Sequence, residues 1–181
     1  MPECGIGLVP DVGGSLLLAH APGRLGEYFG LTTTRMGPGD AILSGFADHF
    51  IPQSEWDSLK VALCETGQLD PLMNAVKEAP VAEIIEHMAM IETCFCGESL
   101  DDICRNLKSD GSDFAMKALS AIKRNSPLAM AVAVEMIHRL RGARDIERAL
   151  GLEYRFTYRA MEHGDFLEGI RAAIIDKDRT P

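Results

Sequence analysis

From Ser54 onward, apolar side chains recur three and four positions apart, the spacing that lines one face of an α-helix rather than the alternation of a half-buried strand. That period predicts a mainly α-helical chain. Short helices are expected over 15–21, 24–31 and 39–44, then one carrying Trp56 behind a Ser54 cap, one from Pro71 to before Pro80, and one over 81–94. Ser99 followed by Asp102 has the form of a capping box, and further helices are expected over 112–124, 127–140, 145–163 and 166–175. Phe46 to Ile51, with its aromatics and alternation, reads as a strand stopped by Pro52. Ile146, Leu150, Tyr154, Tyr158 and Met161 form an apolar stripe on one helix, which is expected to face the core. At 181 residues the chain allows one domain, with at most a subdomain, and enough surface burial for its own core.

The N-terminal fifteen residues, MPECGIGLVPDVGGS, break this helical pattern. They hold Glu3 and Asp11 among four glycines. Glycine is placed where a backbone turns through positive φ or approaches another group closely, so the segment is either a loop with two solvated acids or a shaped turn presenting a carboxylate pair.

The formal charge of −9 argues against nucleic-acid and anionic-membrane partners, which attract basic surfaces. No apolar run reaches the length of a membrane span, and no secretory leader is expected. Five cysteines without a disulfide framework fit a reducing compartment. Cys94-Phe95-Cys96 with Cys104 is spaced too tightly for the usual zinc sites, so no metal is expected. His20 and His49 lack sequence-local partners and read as structural.

The N-terminal segment resembles the active-site segment of 3-hydroxyisobutyryl-CoA hydrolases, a branch of the enoyl-CoA hydratase/isomerase (crotonase) superfamily. The resemblance continues through Gly23-Arg24-Leu25-Gly26, Leu31-Thr32 and residues 41–50. It returns at Leu152-Glu153-Tyr154-Arg155 and in Asp165-Phe166-X-Glu168-Gly169-X-Arg171-Ala172, which leads into Ile175-Asp176-Lys177-Asp178. Residues 53 to 125 match loosely. Family members are about twice as long, so the resemblance implies the C-terminal part of a crotonase-like α/β fold. It implies residues 1–52 as a remnant of that core with a small β element, residues 53–181 as a helical C-terminal region, and a missing N-terminal half as partner.

By the same resemblance Glu3 takes the position of nucleophile or general base, and Asp11 the acidic position that marks the hydrolase branch. Gly13 and Gly14 would turn the chain into a helix whose first amides bind substrate or orient a carboxylate. The implied reaction is hydrolysis of 3-hydroxyisobutyryl-CoA or a similar short 3-hydroxyacyl-CoA, as in valine catabolism. No cofactor is implied beyond the coenzyme A of the substrate, whose acidic groups would need local cations such as Arg24, Arg35, Lys123 and Arg124. Hydration or isomerisation on the same scaffold, and a non-catalytic docking module, remain alternatives. The expected location is cytoplasmic, or the mitochondrial matrix in a eukaryote, and self-association into a homo-oligomer is expected from an apolar face near Met1 to Leu18.

Overall fold

The computed structural model describes residues 1–178. After a 3-10 turn at Glu3–Ile6, the α-helices among the described residues are α1 Gly14–His20, α2 Leu25–Thr32, α3 Pro38–Leu43, α4 Trp56–Thr66, α5 Asp70–Ala75, α6 Met88–Cys94, α7 Leu100–Asp110, α8 Asp113–Ile122, α9 Pro127–Leu140, α10 Ile146–His163 and α11 Phe166–Ile170. A π-turn, Arg171–Ile175, continues α11. The cap expected at Ser99 accepts the Asp102 amide, and Ser112 and Ser126 likewise accept the amides of Ala115 and Ala129 at the starts of α8 and α9. The cap expected at Ser54 does not form: Ser54 lies inside a 3-10 turn, Gln53–Glu55, and α4 starts without a side-chain cap. Asp165 forms no such cap; its carboxylate takes the Ser126 hydroxyl instead, at 2.5 Å.

The chain divides into two compact units, residues 1–35 together with those from Glu86 onward, and residues 36–85. In the larger unit α2 is buried along its whole length, which suits a helix as apolar as LGEYFGLT. It packs on α1 and α9. Leu18, Leu25, Phe29, Leu31, Ile137 and Leu140 form the centre of this core. Tyr28 adds edge-to-face contacts with Phe29 and Phe95 and stacks on Phe114, whose other neighbour is the His87 ring, 4.3 Å away.

Two carboxylates, Glu27 and Glu153, are buried in this unit. Glu27 is fully buried, and its Oε1 accepts from Arg24 at 2.8 Å, Arg141 at 2.5 Å and His138 at 3.2 Å. These bonds offset the desolvation that a lone buried carboxylate would suffer.

The smaller unit is built differently. Asp40 lies in its interior, where one carboxylate oxygen accepts the Gly37 amide and the other the Ile84 amide. Neither α4 nor α5 has a buried residue. The sequence-based boundary after residue 52 falls inside this unit, because Phe50 bridges to Lys77 and Asp40 bonds Ile84.

Three expectations need correction. The strand over 46–51, and with it the small N-terminal β element, is absent among the described residues; only an isolated antiparallel bridge joins Phe50 to Lys77. The amides of Phe46 and Ala47 both turn back to the Ala41 carbonyl, at 2.8 and 3.2 Å, which takes the donors a ladder would use. The helix from Pro71 ends at Ala75 for the same reason, since Lys77 donates to Phe50. The stripe on α10 is not core. Tyr154 is 66% exposed and Tyr158 71%, whereas Ala149, Glu153 and Ala160 form the buried line.

Candidate active site

Glu3 opens the 3-10 turn, and that turn is clamped by backbone. The Leu8 amide donates to the Glu3 carbonyl at 3.0 Å, and the Ser126 amide, at the cap of α9, donates to the Cys4 carbonyl at 2.9 Å. Helix α11 closes the third side. Gly169 lies so near the Ile6 carbonyl that a Cβ at this position would stand 2.3 Å from its oxygen. A glycine is thus required where the C-terminal signature presses on the Glu3 turn. Glu3 is half-buried, and its Oε2 is shut from solvent with no hydrogen-bond partner. Such an oxygen is costly to leave unmade; Glu27 Oε2 and Ser44 Oγ are the other buried, unpartnered side-chain oxygens among the described residues, and of the three only Glu3 belongs to the segment that resembles an active site. Its neighbour Cys4 has no exposed surface, and burial first and the Glu3 charge second push its thiol up to about 12.

Asp11 enters from a separate turn. Its carbonyl accepts the Gly14 amide at 2.7 Å, and between them Val12 at φ 48° and Gly13 at φ 86° both occupy the left-handed region. A β-branched side chain there costs on the order of 1–3 kcal/mol. Burial of Val12 does not offset that cost, since its side chain is 88% exposed.

What holds this corner comes from the other end of the chain. The Glu153 carboxylate, 3% exposed, accepts the Gly13 amide at 3.0 Å, the Ser15 amide at 3.2 Å and the Ser15 hydroxyl. The amides of Gly13 and Gly14 are therefore both engaged within the chain, by Glu153 and by the Asp11 carbonyl. The carboxylate that the Gly13 and Ser15 amides orient is that of Glu153, in the C-terminal signature. Glu153 lies on the face of α10 that buries Ala149 and Ala160.

A cleft of about 440 Å³ borders the Glu3 turn at Gly5 and Gly7 and is also lined by Ser126 and Asp165. Lys123 and Arg124 line it, while Arg24 is spent on Glu27 and Arg35 is exposed. His20 contacts the Ala143 carbonyl at 2.5 Å at the surface, and His49 is exposed. No group of three or more metal-binding side chains occurs among the described residues.

The family model for enoyl-CoA hydratase/isomerase matches residues 1–181, and the chain belongs to that family. It is 37% identical to a rat protein named mitochondrial 3-hydroxyisobutyryl-CoA hydrolase and 35% identical to the human protein of that name, in each case over all of this chain and 50% of the relative. Among solved structures it superposes with a TM-score of 0.92 on an enoyl-CoA hydratase from Rhodobacter sphaeroides, at 52% identity, covering all of this chain and 52% of that one. A carnitinyl-CoA dehydratase from Mycobacterium thermoresistibile gives a TM-score of 0.91 at 35% identity, covering 97% of this chain and 52% of that one. The chain thus spans about half the length of the relatives it matches.

Proposed function

We propose that this chain carries the acid–base half of an acyl-CoA thioester hydrolase acting on 3-hydroxyisobutyryl-CoA or a similar short 3-hydroxyacyl-CoA. The observation that carries the reading is the Glu3 carboxylate, clamped on a rigid turn with one oxygen left unpartnered. Glu3 attacks the thioester carbonyl carbon, or takes a proton from the water that does so; the C–S bond breaks and the sulfur leaves as thiolate, and in the first case water then cleaves the acyl–Glu3 anhydride, releasing the acid and restoring the carboxylate. Asp11 supplies the proton that neutralises the thiolate, and the second carboxyl lets one acid stay ionised while the other shuttles a proton. Gly13 and Gly14 shape the turn beside the substrate. Negative charge on the carbonyl oxygen needs backbone donors, which come from polypeptide equivalent to the remaining half of the relatives, so that half is the expected partner. No cofactor is used beyond the coenzyme A of the substrate. The word mitochondrial in the names of the rat and human relatives favours a mitochondrial location in a eukaryote.

The second reading is hydration of an enoyl-CoA, favoured by the 52% identity to the solved hydratase. Assaying the complete enzyme for free thiol release against loss of the enoyl double bond separates them. Thiol release that falls about a hundredfold to ten-thousandfold in Glu3→Gln, with acyl-CoA binding retained, supports the first reading. Double-bond hydration without thiol release overturns it.

A further inference from the structure

We propose that Glu153 is a positioning residue that holds the Asp11 corner in its catalytic shape. The proposal rests on the hydrolase reading of Asp11, but its structural half stands alone. Asp11 precedes two successive left-handed residues, one of them the β-branched Val12; the local chain holds the Asp11 carbonyl through the Gly14 amide and the Gly13 carbonyl through the Leu16 and Leu17 amides, but offers no acceptor to the Gly13 and Ser15 amides. An isolated chain relaxes such a corner, because Val12 gains by leaving the left-handed region. Glu153 opposes that relaxation with both of its oxygens: Oε2 takes the amide of Gly13, and Oε1 takes the amide and hydroxyl of Ser15.

The same helix braces the corner a second time. Ile146, two turns before Glu153, lies where a Cβ on Gly13 would meet its Cδ1 at 2.8 Å. A carboxylate is needed for this arrangement. Three donors converge on two oxygens, and a carboxamide would turn its own N–H groups toward at least one of them. The chain therefore spends a buried charge on one turn of backbone, 140 residues away in sequence. A purely packing role on α10 would be served by another alanine like Ala149 or Ala160.

Backbone amide exchange on this chain tests the structural half. In Glu153→Gln and Glu153→Ala the amides of Gly13, Gly14 and Ser15 should exchange at least about tenfold faster, while those of Ala133 and Ile137 in α9 keep their protection. Ser15→Ala, which removes only the hydroxyl, should leave the Gly13 amide protected. Uniform acceleration across α9 and the corner, or none at the corner, overturns the proposal. Should Glu153→Ala fail to fold, Glu153→Gln decides alone. In the complete enzyme Glu153→Gln should lower kcat about tenfold to a hundredfold with KM unchanged, as expected when a reacting group is displaced rather than removed. A selective rise in exchange with unaltered kcat overturns the catalytic half. Glu3→Gln serves as the control: if that change leaves thiol release untouched, the hydrolase reading has failed, and the exchange result still judges Glu153.

Discussion

The two units solve the problem of folding with opposite materials. Residues 1–35 and those from Glu86 onward are organised around an apolar interior, into which Glu27 and Glu153 are admitted only because each has several donors. In residues 36–85, Ile84 is the only buried hydrophobic, and the interior is organised by a carboxylate on backbone amides. The candidate catalytic residues lie on the first kind of structure. Rigid surroundings are what a reacting carboxylate needs, and dense packing supplies them.

The sharpest way to break this comparison is to truncate a large side chain in each unit. Phe29→Ala removes a ring with 1% exposure from the centre of the larger unit and should cost about 3–5 kcal/mol in urea unfolding. Trp56→Ala removes a larger side chain from the smaller unit, but Trp56 is 48% exposed and its main polar bond is to the Ile51 carbonyl at 3.0 Å. That change should cost about 1 kcal/mol. Equal costs would show that the smaller unit has a core after all.

Asp40→Ala is the matching test of the smaller unit's polar interior. It strands the amides of Gly37 and Ile84 and should cost roughly 1–3 kcal/mol, with exchange of the Ile84 amide accelerated more than that of Ile137. Protection lost equally in both units would mean that they unfold as one and would weaken the distinction between them.

The difference between the units also explains what the sequence revealed. Helices are legible where capping chemistry and apolar period agree, as at Ser99 and ahead of Pro127, where the serine caps form; at Ser54 the serine is there but a 3-10 turn takes it up and no cap forms. The strand expected at Phe46–Ile51 fails because alternation says nothing about where the amides go, and two of them go to Ala41. The stripe of α10 misleads because hydrophobicity does not mark the buried face of this helix. That helix buries its small residues, where a carboxylate can reach the corner before α1, and leaves Tyr154 and Tyr158 exposed. At the site, Glu3 and Asp11 were legible only through resemblance. Their support by Gly169 and Glu153 is long-range, and only the folded chain reveals it.

Thiol reactivity sharpens the contrast at one residue. Cys4 lies against the Glu3 charge in a site that keeps its thiol protonated up to about 12, whereas Cys64 and Cys96 are exposed. At about pH 8 an alkylating reagent should label Cys64 and Cys96 and spare Cys4, as read by peptide mass spectrometry. The sign for stability follows from the raised value. Between 9.0 and about 12 the unfolded chain releases the Cys4 proton and the folded chain keeps it, so stability falls as pH rises through that window. Cys4→Ala should flatten that part of the profile, and rapid labelling of Cys4 would show that the Glu3 turn opens far more readily than its clamps imply.

The smallest effect concerns the acid side. The Asp102 carboxyl is held below its usual value of 3.8, chiefly by the Ser99 hydroxyl, then by Arg105 and the Ser99 amide, and it lies at the surface of the first turn of α7. A lowered folded value means that the unfolded chain takes up the proton first. The stabilisation is therefore complete above the usual aspartate range and is lost as pH falls through it toward the folded value. Ser99→Ala removes the largest cause and the helix cap together, so it should lower stability by about 1 kcal/mol near neutral pH. The gap between wild type and variant should then narrow on acidification, as Asp102 becomes protonated in both. Solvent screens an exposed pair like this one, so the narrowing should be a small fraction of the cap itself. A gap that stays constant from neutral pH to about pH 2 would show that Ser99 acts on the helix through its own hydroxyl alone and that the Asp102 charge contributes nothing to it.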